Sequence, residues 1–323
     1  MPSPGTSQQQ RQLAFVLNDG NISMLARNAV MLHMIIEQEA PADAVLAVWA
    51  NHALTDAQHA VLLRSCWALA EQPWPAWLSA DSNIDAAAAA TNSSQATGDR
   101  KSTASSTDSI GRKDSSGTAE AAVRAACAAW SSCTLTMQHL LQERNALAGT
   151  ANIAVKLSLS AVTASAGSSN GSGSGSSSSG PKISKVLQKE IAEYIHTGSL
   201  RMSQQGVKKE LLAQPNLTLF KAPELQYAVY FSSSIFRAVQ LPGQTAAAGG
   251  VGAAELLLRT VGPQVAAVAA AAQQGTLRVA LVPGDILTVA TEGRAATQDG
   301  GCEREQAEGL FDYIDTSNVS DYT

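Results

Sequence analysis

Three short polar clusters close apolar runs in this 323-residue chain, and their residue types are the ones most able to do chemistry. Asn18-Asp19 follows the run Leu-Ala-Phe-Val-Leu, Gly284-Asp285 follows Leu-Arg-Val-Ala-Leu-Val-Pro, and Asp315-Thr316-Ser317-Asn318 follows Phe-Asp-Tyr-Ile. An apolar run that empties into small polar residues reads as a buried strand and the loop at its carboxyl end. In an open α/β sheet, ligands lie in the crevice outside those ends. Gathered on one edge of a parallel sheet, Asp19, Asp285, Asp315, Ser317 and Asn318 would offer carboxylate, hydroxyl and amide groups to ribose hydroxyls or to an amine-bearing ligand. The same residue types also cap helices and make turns, so the turn reading stands beside the binding one.

Other chemistries lack their residues. The five histidines (His33, His52, His59, His139, His196) and four cysteines (Cys66, Cys127, Cys133, Cys302) show neither His-Glu-x-x-His nor paired-cysteine spacing, the patterns a zinc site needs. The one Gly-x-Ser-x-Gly match, Gly167 to Gly171, falls in a Ser/Gly tract, and there is no phosphate-binding P-loop. Gly171 to Gly175 lies in a Ser/Gly tract with no strand pattern before it. No catalytic residue and no metal ligand is assigned.

The elements that must hold the clusters can be read from periodicity. Residues 13–18 predict a strand, and Asp19-Gly20-Asn21 a turn and helix cap. The helix that follows has Ile22, Leu25, Ala26, Ala29, Val30, His33 and Ile36 at helical spacing and little polar face, so it should be buried on most sides. Residues 43–54 and 55–70 predict a helical hairpin, with Thr55 as the second helix's cap. Pro73 and Pro75 stop it; Trp74 and Trp77 read as apolar lids on it, or as a partner-binding patch. Further helices are predicted over residues 118–147, 182–196, 223–239 and 254–273, the second with Ile183, Val186, Leu187, Ile191 and Ile195 on one face. Its Lys182, Lys185 and Lys189 read as a solvated face. The Thr197-Gly198 step should end it. Residues 277–282 predict a strand and 283–285 a sharp turn. Strands separated by long helical stretches favour a parallel sheet with helices on its faces.

Composition divides the chain. Residues 1–12 read as a disordered N-terminus and 13–78 as the first part of an α/β domain. Residues 79–117 form an Ala, Ser, Thr and Asp-rich insert with too little apolar surface to offset chain entropy. Residues 118–164 are an Ala-rich helical segment, 165–181 a Ser/Gly linker, and 182–323 the second part of the domain, with a polar insert at 292–308. A formal charge of -5 argues against a nucleic-acid partner held by bulk electrostatics. No run of about 18 apolar residues occurs, so no membrane partner is expected, and a cytoplasmic location is.

Four stretches resemble successive motifs of one known family: Phe15-Val16-Leu17-Asn18-Asp19, Leu25-Ala26-Arg27-Asn28, Asn216-Leu217-Thr218-Leu219-Phe220 and the eight residues from Phe311 to Asn318. It is the domain of unknown function of MYND zinc-finger proteins and, more distantly, of an axonemal dynein preassembly factor. The likeness spans about residues 12–78, 182–240 and 275–322. It implies a Rossmann-like, class I methyltransferase-like fold with S-adenosylmethionine as its cofactor. Asp19 would then hold the ribose, Asp285 would lie near the adenine, and Asp315 to Asn318 would stand on the substrate side. The family's first strand and glycine-rich loop would precede Leu13 and are not in this sequence, so the expectation is an incomplete domain. The function expected is therefore a non-catalytic module that binds or assembles protein partners. Its alternatives are a truncated S-adenosylmethionine-dependent methyltransferase and a cofactor of dynein preassembly. Arg27 is expected to be structural, pairing with Asp19 or Asp315.

Overall fold

The computed structural model describes residues 13–79, 115–146, 185–200, 213–222, 224–227 and 252–284. Strand β1 (Leu13–Asp19) leads through an Asx turn into α1 (Ile22–Ile36), whose cap Asn21 accepts a hydrogen bond from the Ser23 amide. Leu25, Ala26, Ala29, Val30 and Met34 of α1 are wholly buried, each large side chain contributing about 1.5–3 kcal/mol. Helix α1 is the central pillar of the core, as its lack of a polar face predicts.

Helix α2 (Ala42–Ala50) stops short of the predicted residue 54, because Asn51 and His52 turn the chain into a two-residue strand, β2 (Ala53–Leu54). Thr55 then starts α3 (Asp56–Glu71) with a full capping box, its hydroxyl accepting from the Gln58 amide while Gln58 Oε1 accepts from the Thr55 amide. Beyond the prolines, Trp77 is buried and donates to Glu37 Oε1 at 2.7 Å, and Trp74 donates to Leu69 O at 3.1 Å. Trp74 thus lies against the end of α3, while Trp77 reaches back to the end of α1. Strand β3 (Leu78–Ser79) ends this part of the chain.

The helix predicted over residues 118–147 is two helices, α4 (Ser115–Ser131) and α5 (Met137–Ala146). Ser131 and Ser132 both donate to Ala128 O and so compete with the helical ladder. Thr136 then restarts the helix, its hydroxyl and amide both meeting His139 Nδ1. Helix α6 (Lys185–Thr197) buries Leu187 and Ile191, but Val186 is 44% exposed and lies off the predicted apolar face. Gly198 ends α6 at a φ of +66°, as the sequence predicts.

The chain from 213 to 227 overturns a prediction. In place of the start of a helix at 223, β4 (Gln214–Pro215) pairs antiparallel with β2, and β5 (Phe220–Lys221) pairs antiparallel with β6 (Gln226–Tyr227). Leu225, at a φ of +52°, makes the turn that a continuous helix would forbid. Helix α7 (Ala253–Gln273) then leads through Gly275, at a φ of +68°, into β7 (Leu277–Pro283).

Among the described residues the main sheet is parallel, in the order β1-β7-β3. β1 aligns with β7 from Leu13 opposite Leu277 to Asp19 opposite Pro283, and Leu78 sits opposite Val279. One face, carrying Leu17, Leu78, Leu277, Val279 and Leu281, joins the main core with α1, α3, α4 and the second half of α7. A smaller core joins α2, α6, Leu200 and the first half of α7. The molecule is thus of the α/β class, with a small parallel sheet and flanking helices. Among the described residues no helix is long and apolar enough to cross a membrane.

Candidate functional site

At the carboxyl edge of the sheet Asn18-Asp19 lies beside Gly284. Asn18 Nδ2 donates to Val282 O at 2.8 Å, and the Gly284 amide donates to Asp19 O at 3.2 Å. Parallel strands in this register end level, which is why Asn18-Asp19 and Pro283-Gly284 meet. Asp19 Oδ1 accepts from the Asn21 amide at 2.8 Å, so this carboxylate shapes the turn into α1. Asp285, Asp315, Ser317 and Asn318 lie outside the described residues.

Arg27 does not pair with Asp19. Its Nη2 donates to Val48 O at 3.1 Å and, at shorter range, to Trp49 O, the last turn of α2. Removal of its guanidinium from water pulls its pKa down to about 10, with Tyr194 acting in the opposite direction, so it stays a cation at neutral pH. Its Nε is sealed from solvent without a hydrogen-bond partner.

That contact is part of a larger polar hub. A helix leaves its final carbonyls without intrahelical donors, and here side chains from three places satisfy them. Arg27 serves Val48 O and Trp49 O; Tyr194 Oη donates to Ala50 O at 2.6 Å; Asn216 Nδ2 donates to Val48 O and Asn51 O, both at 2.7 Å. Asn51 in turn clamps Leu200, accepting from its amide at 2.7 Å and donating to its carbonyl at 3.3 Å. Asn216 is wholly buried and also accepts from the Thr218 amide and hydroxyl. Its stretch was singled out in the sequence only by resemblance, because the partners of Asn216 lie 165 and 168 residues away. The Asn-Leu-Thr pattern, an Asx turn, is the only local signal it gives.

Two other helix ends are built the same way. Arg124 of α4 donates to Leu69 O, Ala70 O and Gln72 O at the end of α3, and its guanidinium lies 5.5 Å from the Trp74 ring centre. Glu190 of α6 accepts from the Ala253 amide at the start of α7, and Gly252 leaves room for it, since a Cβ there would lie 2.5 Å from Glu190 Oε2. In each case the charge matches the sign of the helix dipole. A cavity of about 20 Å³, room for one water, opens beside this contact between Glu190, Glu193, Ser199, Leu200 and Ala254.

The described thiols are poor nucleophiles. Cys66 and Cys127 are buried and free, and burial pushes Cys66 well above its ordinary value and Cys127 up to about 12. His33 is buried between α1 and α3 with Nδ1 3.2 Å from Ser65 Oγ, and burial lowers its pKa against the opposing pull of Glu37. Among the described residues no three His, Cys, Asp or Glu side chains are grouped to hold a metal ion.

Residues 3–54 match a family model described as a domain of unknown function (DUF4470). The match runs from before β1 through β2, so it contains Asp19, Arg27 and the α2 carbonyls that Arg27 holds. No curated protein and no solved structure matches the chain.

Proposed function

We propose that this chain is a protein-interaction module built on a degenerate, methyltransferase-like α/β domain, and that its partner docks on the outer face of α3. The observation that supports this reading is Trp67, 53% exposed in the middle of α3 and one helical turn from the half-buried Leu63. A tryptophan in that position is the side chain most able to anchor a partner. Assembly of dynein subunits, which the sequence resemblance implies, is one form such a module could take.

The test is affinity capture with the full chain and with Trp67→Ala, each checked for unchanged thermal unfolding. Partners that bind the parent chain should be lost with the variant. Identical recovery with both would remove α3 as the docking face.

A second reading rests on the meeting of Asn18-Asp19 with Pro283-Gly284 at the carboxyl edge. There Asp19 would hold the ribose of S-adenosylmethionine, with Asp285, Asp315, Ser317 and Asn318 completing the site. Titration calorimetry separates the two readings. The module reading expects no heat when S-adenosylmethionine is added to the full chain. Saturable heat that disappears in Asp19→Asn would replace it with the methyltransferase reading.

A further inference from the structure

Helix α3 has two faces of opposite character. Leu62, Ser65, Cys66 and Leu69 are buried against the core, whereas Ala60, Arg64, Trp67 and Glu71 are exposed. Their spacing of four, three and four residues follows the helical repeat, so these four side chains form one stripe along the outer face. The half-buried Leu63 flanks it.

The charges on the stripe are arranged about Trp67. Arg64 lies three residues before it and Glu71 four after it, about 4.5 and 6 Å along the helix axis. Among the described residues neither is in an ion pair. Arg64 Nε donates to Gln38 Oε1 at 3.2 Å, which uses one of the several donors of the guanidinium. A second α3, turned end for end about a two-fold axis at Trp67, would set Arg64 of each copy beside Glu71 of the other, level to within about 1.5 Å. Two helices side by side in the same direction would instead set arginine against arginine. The stripe is therefore self-complementary in the antiparallel orientation, which is what an isologous interface requires.

We propose that two copies of this chain associate through antiparallel α3 helices, with both Trp67 side chains at the centre and an Arg64-Glu71 pair on either side. The inference rests on the reading of α3 as a docking face and names its occupant. The tryptophans supply the apolar contact, and the opposed helix dipoles favour the same orientation. The exposed ion pairs add little affinity but set the register. One pair of helices covers less than the roughly 1,200–2,000 Å² of a stable interface, so the dimer is weak and forms only as concentration rises.

Sedimentation velocity on the full chain, from about 5 to 500 μM, tests it. The parent chain should pass from monomer to dimer across that range. Trp67→Ala should weaken association by more than about thirtyfold. Arg64→Glu and Glu71→Arg each bring like charges together twice, and each should weaken it roughly tenfold. An equimolar mixture of those two charge variants should dimerise as the parent does, because both pairs of the mixed dimer again join opposite charges. Unchanged thermal unfolding confirms that each variant is folded. A parent chain that is monomeric at the highest concentration would overturn the second copy as occupant, and leave the α3 face to be judged by partner capture with Trp67→Ala. A dimer that survives Trp67→Ala would overturn the proposal by placing the contact on another surface. A mixture no tighter than its components would overturn the antiparallel register.

Discussion

Arg27 shows how the meaning of a single residue depends on where the chain folds back. It sits in the second turn of a largely apolar helix, where a charged side chain must find oxygen atoms or reach water. A carboxylate is the partner that sequence order offers, and Asp19 is eight residues away. The structure gives it two main-chain carbonyls of α2 instead. Those carbonyls carry the negative end of a helix dipole, so the cation needs no carboxylate. Replacing Arg27 with Met strips Trp49 O of this donor while Val48 O keeps Asn216. The expected loss in a urea unfolding experiment is about 1–3 kcal/mol, the cost of an unsatisfied buried group. Arg27→Lys should recover part of it, since an ammonium also carries donors for these carbonyls but lacks the planar, extended guanidinium that reaches them here. An unchanged midpoint in Arg27→Met would show that water reaches these carbonyls.

At the scale of elements, the joints between helices carry the specificity. Gly198 is the clearest case, since two independent constraints meet there. Its φ of +66° disfavours any residue with a Cβ, and a Cβ would lie 2.3 Å from His52 Nδ1. Meanwhile the His52 amide donates to Gly198 O at 2.7 Å, which ties the end of α6 to the start of β2. Gly198→Ala should cost about 2–4 kcal/mol, the sum of left-handed strain and overpacking. Adding His52→Ala should return the steric share and leave about 1–2 kcal/mol of backbone strain. Unfolding midpoints of the single and double variants separate the two contributions. Sequence reasoning found the glycine, because a helix C-terminus announces itself locally. It did not find the histidine, because the contact joins residues 146 positions apart.

For the molecule as a whole, two histidines contribute to how stability depends on pH. Burial lowers the pKa of His33, and it also lowers that of the half-buried His59 against the opposing carboxylate of Asp56. A histidine held neutral in the fold takes up a proton in the unfolded chain first, at about its ordinary value of 6.5. The contribution is therefore intact above that pH and is lost as the pH falls below it toward the folded value. Thermal unfolding should occur at a lower temperature at pH 5 than at pH 7.5. In His33→Gln, where the side chain can still meet Ser65 but cannot titrate, the difference should shrink. An equal pH dependence in both proteins would assign it to other groups. The sequence by itself determined the parts whose signals are local: β1, α1, α3, α7 and β7 follow from periodicity, caps and glycine stops, while the register that sets Asn18-Asp19 beside Gly284 came from the tertiary structure. It also marked the α/β class, because strands alternate with long helical stretches. The tertiary structure decided the break between α4 and α5, the hairpin of β5 and β6, and the hub in which Arg27, Tyr194 and Asn216 close the end of α2. The hub depends on which carbonyls are left without donors after the helices pack, and that is known only once segments 144 to 168 residues apart are in contact.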